Sequence, residues 1–264
     1  MNIFEYSNAI VQMREFFQKQ KGFVEVPSQS RRSILAACED PKTISQYIFS
    51  GINWPLPQTG QMWLEKEMLN NPELPGVFCV STSYRNEPNP IPGRHDKIFP
   101  MFEFESKGHV NDMVQLEKEL LDYLKFDITK QCHIKYDDAC TTLDVECLEA
   151  EQETLMQEQL GDIIFLTDFP LHSNPFWNMK QNGDHFNKVD VLLFGMETIG
   201  SAERSANVDE MRENFYTISN GEYSNLLFNH FGRKRVVDEL EEYFSLDMFP
   251  RFGGGIGLTR ICRA

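Results

Sequence analysis

No C-x2-C pair occurs in these 264 residues, although six cysteines stand at positions 38, 79, 132, 140, 147 and 262. Structural zinc sites draw on closely spaced ligand pairs, so even Cys132-His133 followed by Cys140 and Cys147 argues against one. The cysteines read as free thiols of a reducing compartment, and the chain is expected in the cytoplasm. Positive charge is scarce: 25 Lys and Arg stand against 40 Asp and Glu, a net charge of -15. Such a chain is expected to be soluble and does not attract nucleic acid through a global basic field, although a local patch can still do so. Arg31-Arg32 and Arg233, Lys234 and Arg235 are the evident basic clusters. The N-terminus lacks the basic start and unbroken apolar run of a signal peptide. No stretch approaches the ~20 consecutive apolar residues of a membrane span, so no membrane partner is expected. Repeats, low-complexity linkers and breaks in composition are absent too.

What is present suits a packed core: 41% of residues are apolar, an ordinary share. Ile10, Met13 and Phe17 recur at helical spacing until Lys21-Gly22, and a strand follows at residues 23–26, ended by Pro27. A short helix is expected at residues 64–69 after a turn at 57–60. Asn111 is placed to cap an amphipathic helix carrying Met113, Leu116, Leu120 and Leu124. A second, acidic helix is expected over 145–160, buried strands over 163–166 and 189–199, and a last helix over 236–244. These elements predict one α+β domain over residues 1–264, an antiparallel sheet flanked by helices.

The stretch SYRNEPNPIPGRHDKIFPMFEFES, from Ser83 to Ser106, reads as strand, tight loop and strand. Val77, Phe78, Cys79 and Val80 lead in. Pro88, Pro90, Pro92 and Gly93 turn the chain. Phe102 and Phe104 then alternate with Met101, Glu103 and Glu105. A hairpin with charges at fixed points of both arms suits a polyanion.

The glycines at 253, 254, 255 and 257 lack the Gly-Lys-Ser/Thr of a Walker loop, and the seven residues after Gly257 leave no room for a βαβ dinucleotide unit. Taken alone they read as a flexible C-terminal turn, or as backbone that lets a flat ligand approach near Arg260. Asp190 and Glu197, seven apart on one expected strand, fall on opposite faces unless a bend or bulge near Phe194-Gly195 reunites them. Reunited, they suit Mg2+, which takes few protein ligands and phosphate oxygens. Gly200, Ser201 and Ala202 leave room for a ligand gripped by Arg204, or form a helix-entry turn. Gln61 and Glu65 share one helix face.

The order of these signals is more telling than any one of them. MREFFQKQKGFVEVPS, YRNEP with RHDKIF, and GGGIGLTR resemble the three signature motifs of class II aminoacyl-tRNA synthetases, over nearly the whole chain. YRNE with RHxxxF, D-x6-E-x-x-G-x-x-x-R and PFWNM are similar to the aspartyl, asparaginyl and lysyl branch. TGQMWLE and ETIGSAERSANVDEM are closest to its asparaginyl form, and to the asparagine synthetases related to it. The aspartyl form has Lys where Leu64 stands. Two departures stand out: the first motif begins almost at Met1, with no anticodon-binding barrel before it, and the third-motif helix stops about one turn after Arg260.

The resemblance implies an ATP clamp that forms an aminoacyl-adenylate. Arg85 would grip the α-phosphate, Glu87 the adenine amino group, and Arg94 and His95 the γ-phosphate. Phe99 and Arg260 would sandwich the adenine. Gln61 and Glu103 would take the substrate's α-ammonium, and Arg204 its side-chain carbonyl. Glu65 would accept from a carboxamide, which favours asparagine over aspartate. Asp190 and Glu197 would hold Mg2+. A homodimer built on the first motif is implied. The acceptor stays open between tRNA, ammonia, a protein and another small molecule. So do a conventional tRNA ligase, an asparagine synthetase using aspartate and ammonia, and a silent paralogue that binds nucleotide or a partner.

Overall fold

The computed structural model describes residues 2–27, 32–37, 41–173 and 175–264. Arg31 and Cys38 lie outside the described residues. The Asn2 side chain caps helix α1 (Ile3–Arg14) by accepting from the Phe4 N–H at 2.9 Å. The helix runs on as a wider π turn over Glu15–Gln20, burying Phe16 and Phe17. Strand β1 (Val24–Glu25) follows. β2 (Gln46–Phe49) and β3 (Ile52–Pro55) form a separate hairpin, and α2 (Gln61–Asn70) follows. β4 (Gly76–Tyr84) and β5 (Ile98–Lys107) are the arms of the proline-rich hairpin.

Helix α3 (Val110–Tyr123) is capped by His109 and Asp112, not by Asn111, which lies inside its first turn. Next come β6 (Gln131–Lys135), α4 (Tyr136–Leu143), α5 (Ala150–Leu160) and β7 (Ile163–Pro170). The acidic helix thus begins at Ala150 rather than 145, where the Glu149–Gln152 capping box sets its start. β8 (Gln181–Asn182), β9 (His185–Leu193) and β10 (Met196–Arg204) follow. The one strand expected over 189–199 is therefore two. Phe194 and Gly195, both at positive φ (50° and 75°), make a two-residue hairpin turn between them. Residues 197–204 do not enter a helix; they belong to β10. The chain ends with α6 (Val208–Thr217), α7 (Glu222–Phe231), α8 (Arg233–Phe244), β11 (Arg251–Gly257) and α9 (Leu258–Ile261). The glycine cluster is no turn: β11 runs between β5 and β10 in the middle of the sheet.

Among the described residues the main sheet has nine strands, in the order β1-β4-β5-β11-β10-β9-β7-β6, with β8 on β9. It is mixed rather than wholly antiparallel, because β1 pairs with β4 and β6 with β7 in parallel. Phe78, Phe102, Phe104, Val189, Val191, Ile199 and Ile256 project from one face of the sheet into the main core with Phe17 and Met113. The alternate residues of the same strands project from the other face.

Candidate active site

On that other face the registers align the side chains in rows. Glu105, Gly253, Ala202 and Lys188 form one row, and Glu103, Gly255, Gly200 and Asp190 the next. The two central strands thus supply a floor of glycine and alanine, walled by charged residues of β5 and β9. A Cβ at Gly253 would fall on the Glu105 carboxylate, so the strand can lie there only as glycine.

Two cavities open on this floor. One, of about 200 Å³, is lined by Arg85, Glu87, Arg94, His95, Phe99, Glu197 and Arg260 among others. The second, of about 230 Å³, is lined by Gln61, Glu65, Asn178, Lys188 and Arg204 among others. They share Arg85, Met101, Glu197, Gly200 and Gly255. Ten of the twelve residues singled out in the sequence therefore line one continuous cleft. Glu103 and Asp190 line neither cavity.

Glu103 lies beneath the turn before α2. Its oxygens accept from the Gly60 N–H at 2.9 and 2.8 Å and from the Thr59 and Ser81 hydroxyls. Burial raises its pKa, against the pull of those donors and of Arg85. Asp190 borders the floor at Gly200. The hairpin pairs Glu197 with Leu192, two residues from Asp190 on the same face of β9, and the register shift between Glu197 and Ile199 brings Gly200 opposite Asp190, so a Cβ at Gly200 would lie 2.8 Å from Glu197 Oε1 and 3.5 Å from Asp190 Oδ1. The turn at Phe194-Gly195 thus reunites the two carboxylates, and the bulge beyond it sets Gly200 between them. Burial pushes Asp190 up to about 7 against the nearby Lys188 ammonium. Burial acts on Glu197 too, but Lys188, Arg260, Arg85 and Arg94 hold it below the usual carboxylate range.

In the first cavity, the Arg85 guanidinium lies 5.6 Å from the Phe99 ring centre. Arg260 donates to the Glu197 carbonyl at 2.5 Å and stands 3.7 Å from its carboxylate. Arg94 reaches from the hairpin tip to the Gly195 carbonyl at 3.1 Å and pairs with Glu153 of α5. Glu153 also accepts the Glu197 N–H at 2.7 Å, so it anchors both the hairpin tip and the carboxylate strand.

At the other end, charges are locked together. Glu65 accepts from Asn178 Nδ2 at 2.7 Å, from the Tyr243 hydroxyl at 2.6 Å and from Arg251 Nη2 at 2.6 Å. Arg204 donates to Gln61 Oε1 at 2.8 Å and stands 3.4 Å from Glu105. Gln61 in turn donates to the Gly254 carbonyl at 2.8 Å. Burial alone would raise Glu65, yet Arg204 and Arg251 hold it below its ordinary value. Burial pushes Glu105 up to about 8, with Arg204 opposing and Glu65 reinforcing. Sequence reasoning missed Lys188, Glu153, Arg251 and Tyr243. The -RFGGG- start of β11 was a usable signal for Arg251, since an arginine in a glycine strand faces the same side as every second glycine.

The basic cluster on α8 makes contacts within its own protein, although Arg233 and Lys234 are exposed. Arg233 stacks on Phe228 and Tyr216, Lys234 pairs with Asp238, and Arg235 donates to the Asn53 and Phe231 carbonyls while lying over Trp54.

Among the described residues no helix is long and apolar enough to cross a membrane, and no group of three or more His, Cys, Asp or Glu could hold a metal. A two-carboxylate site completed by ligand oxygens falls outside that second description.

The family model for class II tRNA synthetases (D, K and N) matches residues 2–264. An aspartate–tRNA(Asp/Asn) ligase of Methanopyrus kandleri is 22% identical over 98% of this chain and 63% of its own length. An asparagine–tRNA ligase of Rhodopirellula baltica is 26% identical over 55% of this chain and 30% of its own. The asparaginyl-tRNA synthetase of Pyrococcus horikoshii, solved with asparaginyl-adenylate, superposes with a TM-score of 0.79 at 20% identity, covering 98% of this chain and 64% of that one. The aspartyl-tRNA synthetase of Entamoeba histolytica gives 0.72 at 19% identity, covering 98% and 54%. The chain spans about three fifths of the length of the ligase from Methanopyrus kandleri, and the structural likenesses show the fold. Since the family model takes in every described residue, the chain belongs to the class II tRNA synthetases of the D, K and N group.

Proposed function

We propose that this chain activates the carboxyl group of an aspartate- or asparagine-type amino acid with ATP. The observation that carries the reading is the meeting of the two cavities at Arg85, Glu197 and Gly200. ATP would lie along Glu87, Phe99 and Arg260, with its outer phosphates toward Arg94 and His95. The amino acid would lie over Gly253 and Ala202, with its side chain toward Arg204 and its ammonium toward Gln61. Glu103 would then act through its charge from behind the Thr59-Gly60 turn. A carboxylate oxygen forms the bond to the α-phosphorus, the bridging P–O bond to the β-phosphate breaks, and pyrophosphate leaves. Arg85 stands where charge grows on the phosphorus centre, so its contact strengthens in the transition state. The remaining contribution is positioning.

Asp190 and Glu197 fit a hard cation: they flank a glycine, and Asp190 Oδ1 is buried without a hydrogen-bond partner. They would hold Mg2+, which when bound supplies charge neutralisation at the phosphates. Ile3, Phe4 and Val11 of α1 and Val24 of β1 are exposed apolar residues on the first-motif surface, which supports a two-fold homodimer. The net charge of -15 and the scarcity of basic clusters favour ammonia, another small molecule or a protein as acceptor over tRNA.

Amino-acid-dependent ATP–pyrophosphate exchange across all amino acids tests the reading. Exchange with aspartate or asparagine is the expected result. Nucleotide binding with no exchange for any amino acid would overturn it in favour of a silent paralogue.

A further inference from the structure

Lys188 has no part in the reading above, yet its ammonium sits on the carboxylate that a metal would need. Alternation along β9 puts Lys188 and Asp190 on one face, two residues apart. Lys188 Nζ bonds Asp190 Oδ2, leaving Oδ1 as the oxygen without a partner. Arg260 stands 3.7 Å from the carboxylate of Glu197. The two carboxylates are therefore already balanced by two cations of the chain itself. A divalent ion taking Asp190 Oδ1 would come within a few Å of the ammonium, and like charges that close repel where Lys188 and Asp190 are only 23% and 11% exposed.

We propose that Lys188 is a built-in counter-ion of the Asp190–Glu197 pair, which a divalent metal has to displace. This rests on assigning those two carboxylates as the metal-holding pair. The local charge sum then decides the order of events. Without nucleotide, a metal would leave the site with excess positive charge. With the triphosphate present, that charge is offset, so the ion enters with the phosphates rather than ahead of them. The displaced ammonium has a resting place: its Nζ is already 3.7 Å from the Phe169 ring centre, where a cation is stabilised. The same side chain lines the cavity that holds Gln61 and Arg204.

Mn2+ binding to the nucleotide-free protein, read by electron paramagnetic resonance of the free ion, tests this. Wild type should bind weakly, and Lys188→Met at least about 10-fold more tightly, since the competing charge is gone. Lys188→Gln repeats the measurement with a polar side chain should Met disturb the fold. Adding Asp190→Asn to Lys188→Met should remove the gain. Equal affinity in wild type and both variants, or a gain that survives Asp190→Asn, overturns the proposal. The parent assignment is checked separately by the Mg2+ requirement of exchange in Asp190→Asn. If that requirement rises while Lys188→Met leaves Mn2+ affinity unchanged, the lysine inference alone fails.

Discussion

The two ends of the cleft rest on the same four strands but are built on opposite principles. At the end proposed for the amino acid, the side chains of Arg251, Glu65 and Glu105 are at most 1% exposed and that of Arg204 6%. Their charges satisfy one another before any substrate arrives. At the end proposed for the nucleotide, Arg260 is 26% and Glu197 40% exposed, and several of the cleft's polar contacts run to backbone carbonyls. A group fixed by buried partners is preorganised and selective, but the fold depends on it. A group held by a few exposed contacts can be removed with the fold intact. One end should therefore report on stability when mutated and the other on rate.

The largest expected effect tests the first half of that contrast. Arg251→Ala leaves Glu65 and Glu105 buried with half their positive partners gone. Breaking a buried pair from one side costs about 3–5 kcal/mol, so the melting temperature should fall by ~10 °C. Circular dichroism melts decide it, and a near-native melt would show that the amino-acid end is no more structural than the other. Arg85→Ala tests the second half. Losing a donor aimed at developing charge should slow exchange by on the order of 10^2-fold. Melting should stay within about 2 °C of wild type. A variant that both exchanges poorly and melts early would erase the contrast.

How much of this was legible in the sequence follows the same division. The nucleotide end is contiguous in the chain: Arg85, Glu87, Arg94, His95 and Phe99 sit in one hairpin whose prolines and alternation announce it. Twelve site residues could be named because each falls in a stretch that resembles a family motif, and ten of them line the cleft. The amino-acid end joins Glu65, Asn178, Tyr243 and Arg251 from four distant elements, and no periodicity links residues that meet only through the sheet. The hairpin at Phe194-Gly195 was hidden because its flanks read as one apolar run. That hairpin, by pairing Glu197 with Leu192, decides which way Glu197 points. Helix α4 is too short to show a period. The left-handed Ser219-Asn220-Gly221 turn breaks α6 from α7, blurring both.

The back of the sheet gives a third, smaller test. Glu117 of α3 is fully buried, and burial pushes its carboxyl up to about 8, with the Ser201 hydroxyl opposing and the Asp190 charge reinforcing. The folded chain thus keeps a proton that the unfolded chain loses near the ordinary value of 4.5. The stability this group allows is fully present below 4.5 and is lost as pH rises toward about 8. Glu117→Gln, neutral at every pH, should match wild type near pH 5. At pH 8.5 it should be the more stable by on the order of a few kcal/mol. Parallel melting curves for the two proteins across that range would show that Glu117 carries no such proton.

The smallest effect sharpens the boundary between the two ends. Phe99 faces the cleft from β5, opposite Ser83 of β4, and lines the nucleotide cavity without touching the other. Phe99→Leu keeps an apolar side chain in the strand and removes the flat ring. Stacking and cation–π contacts of this kind contribute about 1 kcal/mol, so the KM for ATP should rise roughly 5-fold. The KM for the amino acid should not move, because the cavities share Arg85, Met101, Glu197, Gly200 and Gly255 but not Phe99. Exchange kinetics with each substrate varied in turn separates the two constants. A matching rise in the amino-acid KM would mean that the two ends are coupled through the hairpin, and that the cleft binds its ligands as one unit.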